Sequence, residues 1–214
     1  PPPVVCGAGR RAMITRATPL LLGSASPRRR ELLETVRIPL HVAAVDVDEA
    51  VREGERPVEY LERVVASKLR AVAAAGVMGA CAAALVADTT VVLDGEILGK
   101  PSTIDEAEAM VRRLVGATHS VLTRYAITRG ADASAPVAVR TVSTRVTLRR
   151  ASAGEIRRYA ASGEGLDKAG AYAVQGIGAL LVARIDGSYT NVVGLPLCEV
   201  VLDLRRSGLI GDLP

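Results

Sequence analysis

The sequence predicts an α/β fold, and three observations carry that prediction. Short apolar runs alternate with stretches of helical periodicity from Leu20 to Leu114. From Thr118 the chain turns β-rich, which suggests that the second half forms a lobe of its own. The 214 residues, 49% of them hydrophobic, are enough to bury a full core as one domain or two small lobes. With no Phe and no Trp, that core must be filled by Leu, Val, Ile and Ala.

The first strand is Leu20-Leu21-Leu22, a buried run that stops abruptly at Gly23. Ser24-Ala25-Ser26 makes a turn, Ser26 is a good N-cap, and Pro27 has the fixed φ that suits a first helical position. Leu32, Leu33 and Val36 give the helix an apolar stripe, and Glu31 suits the positive end of its dipole. Arg28, Arg29 and Arg30 ride on the first turn, where free backbone N–H groups, the dipole and three guanidinium forks meet. The stretch reads either as an anion site suited to phosphate or as a capped surface helix with solvated arginines.

Leu40 to Val45 reads as a second strand running into Asp46, Asp48 and Glu49, an acidic cluster or simply a solvated loop. Pro57 opens a helix with Val58, Leu61, Val64, Val65, Leu69 and Val72 on one face. Lys68 lies beside that stripe, as an ordinary flanking lysine or as a compact charge turned into a cleft. The uncharged stretch Ala71 to Ala87 falls short of the ~20 residues of a membrane span and reads as a helix end, a loop near Gly76 to Gly79 and a buried strand.

Leu85-Val86-Ala87 runs into Asp88 and then the β-rich Thr89 to Leu93. A carboxylate inside a strand is expensive unless paired or bound to a metal. Asp94-Gly95 signals a two-residue hairpin, Glu96-Ile97-Leu98 returns, and Gly99-Lys100-Pro101 closes it. A helix with Ala107, Met110, Val111 and Leu114 inward follows, capped by Ser102 or Thr103 and stopped by Gly116. Ser120 to Thr128 and Val137 to Leu148 form long antiparallel strands around a polar loop, Arg129 to Ala135. Ser152 with Glu155 is a capping box opening a helix to about Ala161. The glycines between Ser162 and Gly176 let the backbone approach a ligand closely. Leu180 to Ile185 is a last strand, Asp186-Gly187-Ser188 a turn, and Pro196 starts a final helix facing inward with Leu197, Val200, Val201 and Leu204.

Several classes are disfavoured. The net charge of +4 is mild and its 27 basic and 23 acidic residues are interspersed, with five Tyr as the only aromatics, so nucleic acid is not an expected partner. Cys6, Cys81 and Cys198 are far apart with no CxxC, against a zinc site or a disulfide scaffold. His41 and His119 are the only histidines, against a His-rich metal site or a Ser-His-Asp triad. Arg10-Arg11 is followed by no apolar run of export-signal length, so a soluble cytoplasmic protein is expected. Pro1 to Ala12 are turn-rich and aperiodic, expected to be a disordered extension or a start-site artefact ahead of a natural start at Met13, with a single two-lobed domain over 13–214.

Three motifs in one order, SxSPRRxxLL (Ser24 to Leu33), ADT-VVLDGEILGKP (Ala87 to Pro101) and SGE-LDKAGAYA-QG with VVGLPL (Ser162 to Leu197), resemble the Maf family, also called septum-formation-inhibitor-like proteins. The resemblance spans about Pro19 to Leu204. It implies a curved mixed β-sheet flanked by helices, in two lobes with a central cleft, as in Maf and ITPase-like folds, and usually a homodimer. It also implies hydrolysis of a nucleoside triphosphate to the monophosphate and pyrophosphate. Such chemistry needs a divalent metal, an activated water and cations for the leaving group. Hard oxygen ligands suit Mg²⁺ or Mn²⁺, with Glu49 and Asp88 as the candidate carboxylates.

On that resemblance Asp88 activates water, directly or through metal, with Glu49 and Lys100 completing the catalytic set. Arg28, Arg29, Lys68 and Lys100 would clamp the triphosphate, with Ser24 and Ser26 as further donors. Asp167 and Lys168 complete the cleft or form a structural pair. Gln175 and Thr89 have the donors and acceptors to read a pyrimidine edge. ADT with a Gln after AYAV resembles the branch acting on dTTP, UTP and modified pyrimidine triphosphates, rather than the one preferring N7-methyl-GTP. Thr90 and Arg30 depart from the usual pattern and bear on the shape of the cleft. Two alternatives are a non-catalytic nucleotide-binding regulator of cell division and a basic nucleic-acid-binding module.

Overall fold

The computed structural model describes residues 12–130, 132 and 135–211. In chain order its elements are β1 (Leu20–Leu22), α1 (Pro27–Thr35), β2 (Leu40–Val42), α2 (Pro57–Ala74), β3 (Ala83–Leu93), β4 (Glu96–Leu98), α3 (Ile104–Leu114), β5 (Thr118–Arg129), β6 (Ala138–Leu148), α4 (Ala153–Ala161), β7 (Val182–Asp186), α5 (Tyr189–Val193) and α6 (Leu197–Arg206). Two short 3-10 segments, Ala169–Ala171 and Gly176–Leu181, lie between α4 and β7.

One mixed sheet of seven strands joins the described strands in the order β2-β1-β3-β5-β6-β7, with β4 paired to the far end of β3. β1 runs parallel to both β2 and β3, and every other pairing is antiparallel. The β-rich second half therefore makes no sheet of its own. β5 pairs with β3 from Ala83 to Val92, because both strands are long and apolar enough to serve the whole sheet.

The other edge of β3 is divided. β1 covers Ala83 to Leu85 and β4 covers Val91 to Leu93, so Val86–Thr90 has no strand partner on that edge. Asp88 sits in the middle of this gap. Gly23 ends β1 at its border, where its N–H donates to Leu85 O at 2.9 Å. A Cβ there would lie 2.8 Å from Val86 and 2.9 Å from Val72, so only glycine lets strand and helix close up.

Period-2 alternation along β3 sends successive residues into different layers. Ala84 and Val86 pack with Val65, Leu69 and Val72 of α2. Ala83, Leu85 and Ala87 pack with Leu33 of α1 and with Val200, Val201 and Leu204 of α6. Past the gap, Val91 and Leu93 join Val111 and Leu114 of α3, Ile156 and Tyr159 of α4, and Val146 and Leu148 of β6. No helix among the described residues is long and apolar enough to cross a membrane.

Most expected boundaries agree with these elements. Ser26 caps α1 ahead of Pro27, Thr103 rather than Ser102 caps α3, and Ser152 with Glu155 forms the capping box of α4. Asp94 and Gly95, at φ 51° and 85°, make the hairpin turn. Three expectations need correction, and one further element was not expected. β2 stops at Val42 rather than Val45. Val58 is exposed, because it lies in the first turn of α2 beyond the packed stripe. The strand read as Leu180 to Ile185 starts at Val182, and Gly176–Leu181 is a 3-10 segment. α5 was not foreseen. The extension read at Pro1 to Ala12 lies outside the described residues except for Ala12, whose carbonyl accepts from Arg129.

His119 on β5 is buried, with its Nε2 2.8 Å from the Tyr172 hydroxyl, and burial pushes its imidazole down to about 4. Between about pH 4 and 6.5 the unfolded chain binds a proton there that the folded one does not, so stability falls as pH drops through that window. Replacing His119 by Gln is expected to remove up to about 3 kcal/mol of the stability difference between pH 7 and pH 4.5. Urea unfolding at the two pH values checks this; an undiminished difference contradicts it.

Candidate active site

Two buried cations organise the cleft that opens at the gap in the sheet. Lys68, on the buried face of α2, has its Nζ 2.8 Å from Asp88 Oδ1, 2.6 Å from Glu49 Oε1 and 3.3 Å from Ala87 O. These three acceptors match the three ammonium donors. Ala87 O and Leu85 O are two residues apart and point to the same edge, so Lys68 serves a carbonyl that β1 is too short to reach. The Lys68 and Asp88 side chains are only 7% and 9% exposed, while Glu49 is 42% exposed and reaches in from the rim. The partial burial of Glu49 opposes its ionisation, but the bond and charge of Lys68, with Lys100 and Arg29 beyond, hold its carboxyl below the usual value. Tyr60, on α2, faces the same pair, and burial followed by the charges of Asp88 and Glu49 pushes its hydroxyl up.

Glu49 is held by its loop. Arg63 of α2 donates to Asp48 O at 3.2 Å and Ala50 O at 2.8 Å, and makes an ion pair with Glu55 at 2.6 Å. That bond to Arg63 lowers the Glu55 carboxyl to about 2. Of the expected acidic cluster, Glu49 and Asp46 line the cleft, whereas Asp48 turns its Oδ1 back to the Ala50 N–H at 2.9 Å.

Arg29 is the second buried cation. Its Nη1 donates to Ser24 Oγ at 3.0 Å, its Nη2 to Thr89 Oγ1 at 3.0 Å and its Nε to Gly194 O at 2.8 Å. Burial pushes its guanidinium below the ordinary value, against the opposing influence of the Asp88 and Glu49 charges. Gly194 ends α5, which Asn191 anchors by donating from Nδ2 to Val121 O and Thr144 Oγ1, both at 3.0 Å. A five-residue helix without a heptad stripe leaves no periodic signal, and only the isolated Gly-Leu-Pro stop marked it.

The three arginines of α1 part company. Arg29 is buried, Arg28 pairs with Asp167 at 2.8 Å beside the cleft, and Arg30 turns out to Glu34 at 2.7 Å. Helical geometry sets successive residues about 100° apart, so three consecutive arginines cannot share one point. Burial raises the Asp167 carboxyl while the bonds of Lys168, at 2.5 Å, and Arg28 lower it, and the net result is about 2.

A cavity of about 660 Å³ gathers all twelve expected residues: Ser24, Ser26, Arg28, Arg29, Glu49, Lys68, Asp88, Thr89, Lys100, Asp167, Lys168 and Gln175. Two of them are committed elsewhere. Ser26 Oγ caps the Arg29 N–H at 3.4 Å. Thr89 Oγ1 meets Arg29, Thr123 Oγ1 at 2.9 Å and Gly194 O at 3.2 Å, so its hydroxyl is occupied in supporting Arg29 rather than turned to a base. Thr90, on the next position of β3, is buried. Lys100 and Gln175 are exposed at the rim, with no hydrogen bond or ion pair among the described residues.

Glu49 and Asp88 fit a hard divalent cation. Lys68 occupies one oxygen of each, and two carboxylates against one ammonium leave the trio formally negative. Among the described residues no group of three or more His, Cys, Asp or Glu could hold a metal by itself. Phosphate oxygens and water would have to complete the coordination, as is usual for Mg²⁺.

A cleft with a carboxylate pair on one side and guanidinium and ammonium groups around it has the charge pattern to take up a polyphosphate anion with a divalent cation. The comparisons narrow the class. The family model described as Maf-like protein matches residues 19–207, and the chain belongs to this family. It is 50% identical over 192 residues to a dTTP/UTP pyrophosphatase of Myxococcus xanthus, covering 90% of this chain and 94% of that one. A dTTP/UTP pyrophosphatase of Hahella chejuensis is 45% identical over 190 residues, covering 89% and 92%. In fold the chain is similar to a HAM1 protein from Coxiella burnetii, with a TM-score of 0.51 at 17% identity, covering 88% of this chain and 99% of that one. The mixed sheet flanked by helices is thus the expected ITPase-like architecture.

Removing the shared ammonium leaves Glu49 and Asp88 facing each other uncompensated. Lys68→Met is expected to lower stability by roughly 3 kcal/mol, and adding Asp88→Asn to restore at least about 1 kcal/mol of it. Chemical denaturation of the two variants checks this; a Lys68→Met protein as stable as wild type contradicts it.

Proposed function

We propose that this chain hydrolyses nucleoside triphosphates, with dTTP, UTP and modified pyrimidine nucleotides preferred, to the monophosphate and pyrophosphate. The observation that carries the reading is the Glu49–Lys68–Asp88 trio in the sheet gap, facing a cleft rimmed by Arg28, Lys100 and Lys168. Family membership and relatives bearing the name dTTP/UTP pyrophosphatase support the same reaction.

In this reading the base lies toward Gln175, and the triphosphate lies among Lys100, Arg28 and the N-terminus of α1. Asp88 takes a proton from water, whose oxygen attacks the α-phosphorus. The bond from that phosphorus to the α–β bridging oxygen breaks, and pyrophosphate leaves. Lys68 holds Asp88 in place through their 2.8 Å ion pair. Arg29, buried behind the cleft, contributes charge and fixes Ser24 and Thr89. Mg²⁺ or Mn²⁺ held by Glu49 and Asp88 would polarise the phosphate and lower the pKa of water. Gln175 is the base-reading group, because its amide has no partner among the described residues. The same reading takes the enzyme as a cytoplasmic homodimer, on the family resemblance, and sedimentation at twice the 22.3 kDa chain mass checks the dimer.

The test is pyrophosphate release with Mg²⁺ or Mn²⁺ from dTTP, UTP, CTP, GTP, ATP and N7-methyl-GTP. Turnover is expected to be highest with dTTP and UTP, and Asp88→Asn is expected to lose at least about 100-fold in kcat. Preference for N7-methyl-GTP would keep the reaction and overturn the role of Gln175. No metal-dependent release from any nucleotide would leave a regulator that binds without turnover.

A further inference from the structure

Glu164 belongs to neither the carboxylate trio nor the cleft lining, yet its side chain makes a dense set of bonds. Its Oε1 accepts the Ile177 N–H at 2.7 Å, and its Oε2 accepts the Gly178 N–H at 2.8 Å and the Tyr159 hydroxyl at 3.0 Å. The Tyr159 oxygen in turn accepts the Ala173 N–H at 3.1 Å. One carboxylate, directly and through one tyrosine, therefore grips the backbone two residues before Gln175 and two and three residues after it. No cation pairs with that carboxylate among the described residues, so its charge is met by these donors.

The grip is tight as well as dense. Gly176 has φ +70°, and a Cβ there would lie 2.1 Å from Glu164 Oε1. A Cβ on Gly178 would lie 2.3 Å from Ala173 O and 2.7 Å from the Tyr159 hydroxyl. Gln175 itself projects from this clamped stretch into the cleft rim without a bond to the protein. An amide reads a base edge only if its donor and acceptor ends are held in direction, and a side chain with no partner of its own must take that direction from its backbone.

We infer that Glu164, with Tyr159, is a positioning residue for base selection, fixing the Ala173–Gly178 backbone so that Gln175 meets a pyrimidine edge. This rests on the proposed nucleotide site but not on turnover, so it is tested by binding. The probes are a dTTP analogue with a methylene bridge between the α- and β-phosphorus atoms and inorganic triphosphate, which has no base. Calorimetric titration with Mg²⁺ is run on wild type, Glu164→Gln, Gln175→Ala and the double variant. Glu164→Gln keeps the size of the side chain but turns an N–H₂ toward backbone N–H donors.

Glu164→Gln is expected to weaken the dTTP analogue about tenfold and inorganic triphosphate less than about twofold. In the Gln175→Ala background the same change is expected to cost less than about twofold more, because its effect acts through Gln175. Tyr159→Phe, which keeps the ring and removes the hydroxyl, is expected to show the same pattern more weakly and serves if Glu164→Gln does not fold. Equal weakening of both probes, full additivity with Gln175→Ala, or no loss with either variant would overturn the inference. A wild type that binds the analogue but turns over no dTTP would overturn the catalytic reading alone; one that binds neither probe overturns both.

Discussion

The buried ammonium of Lys68 is the constraint on which the cleft depends. Asp88 lies in the interior of β3, where a bare carboxylate would be among the costliest groups a strand can carry. Lys68 answers it at 2.8 Å, and the remaining two donors go to Glu49 and to the Ala87 carbonyl that the sheet leaves unpaired. One side chain therefore meets three needs at once: charge for a buried acid, a partner for an orphaned backbone oxygen, and an anchor for an exposed loop. α2 must lie flat on β3 for this to happen, and the glycine at position 23 together with Val65, Leu69 and Val72 holds it there. The hydrophobic packing sets the helix, and the helix delivers the charge.

Arg29 plays the matching part on the other side of β3. Its guanidinium links α1, the neighbouring residue Thr89, and the end of α5 through Gly194. Lys68 spends all three of its donors on the protein and Arg29 three of its five, whereas Lys100 at the rim is unpaired among the described residues. The buried cations keep the carboxylates and hydroxyls in fixed places, Arg28 and Lys168 at the rim share Asp167, and in the proposed reading Lys100 is the rim cation left to meet an incoming polyphosphate. In the reading proposed above, Glu164 extends the same logic to the base end, fixing the backbone on either side of Gln175.

Much of this was legible in the sequence because the signals were local. Ser26-Pro27 marks a helix start through its own φ and hydroxyl, and Asp94-Gly95 marks a hairpin for the same kind of reason. Asp88 stands out because its strand context makes it improbable without a partner, whereas Lys68 reads equally as a flanking lysine or as a charge turned into a cleft, and only its contacts with Asp88 and Glu49 decide. What could not be read was long-range. The bond from Arg29 to Gly194 joins residues 165 positions apart, and α5 is too short to show periodicity. The three arginines looked equivalent in a row, and only helical rotation sorts them into buried, cleft-side and outward. Thr89 looked like a base reader by composition; its occupied hydroxyl reflects cross-strand pairing with Thr123, which depends on register.

In the proposed mechanism the cleft sets a water, activated at Asp88, against the α-phosphorus while the rim cations receive the departing pyrophosphate. Hydrolysis of dTTP in ¹⁸O-labelled water, with both products read by mass spectrometry, tests it most directly. Attack at the α-phosphorus puts the label in the monophosphate and none in the pyrophosphate. Label in the pyrophosphate would mean attack at the β-phosphorus and would contradict this arrangement of carboxylate and cations.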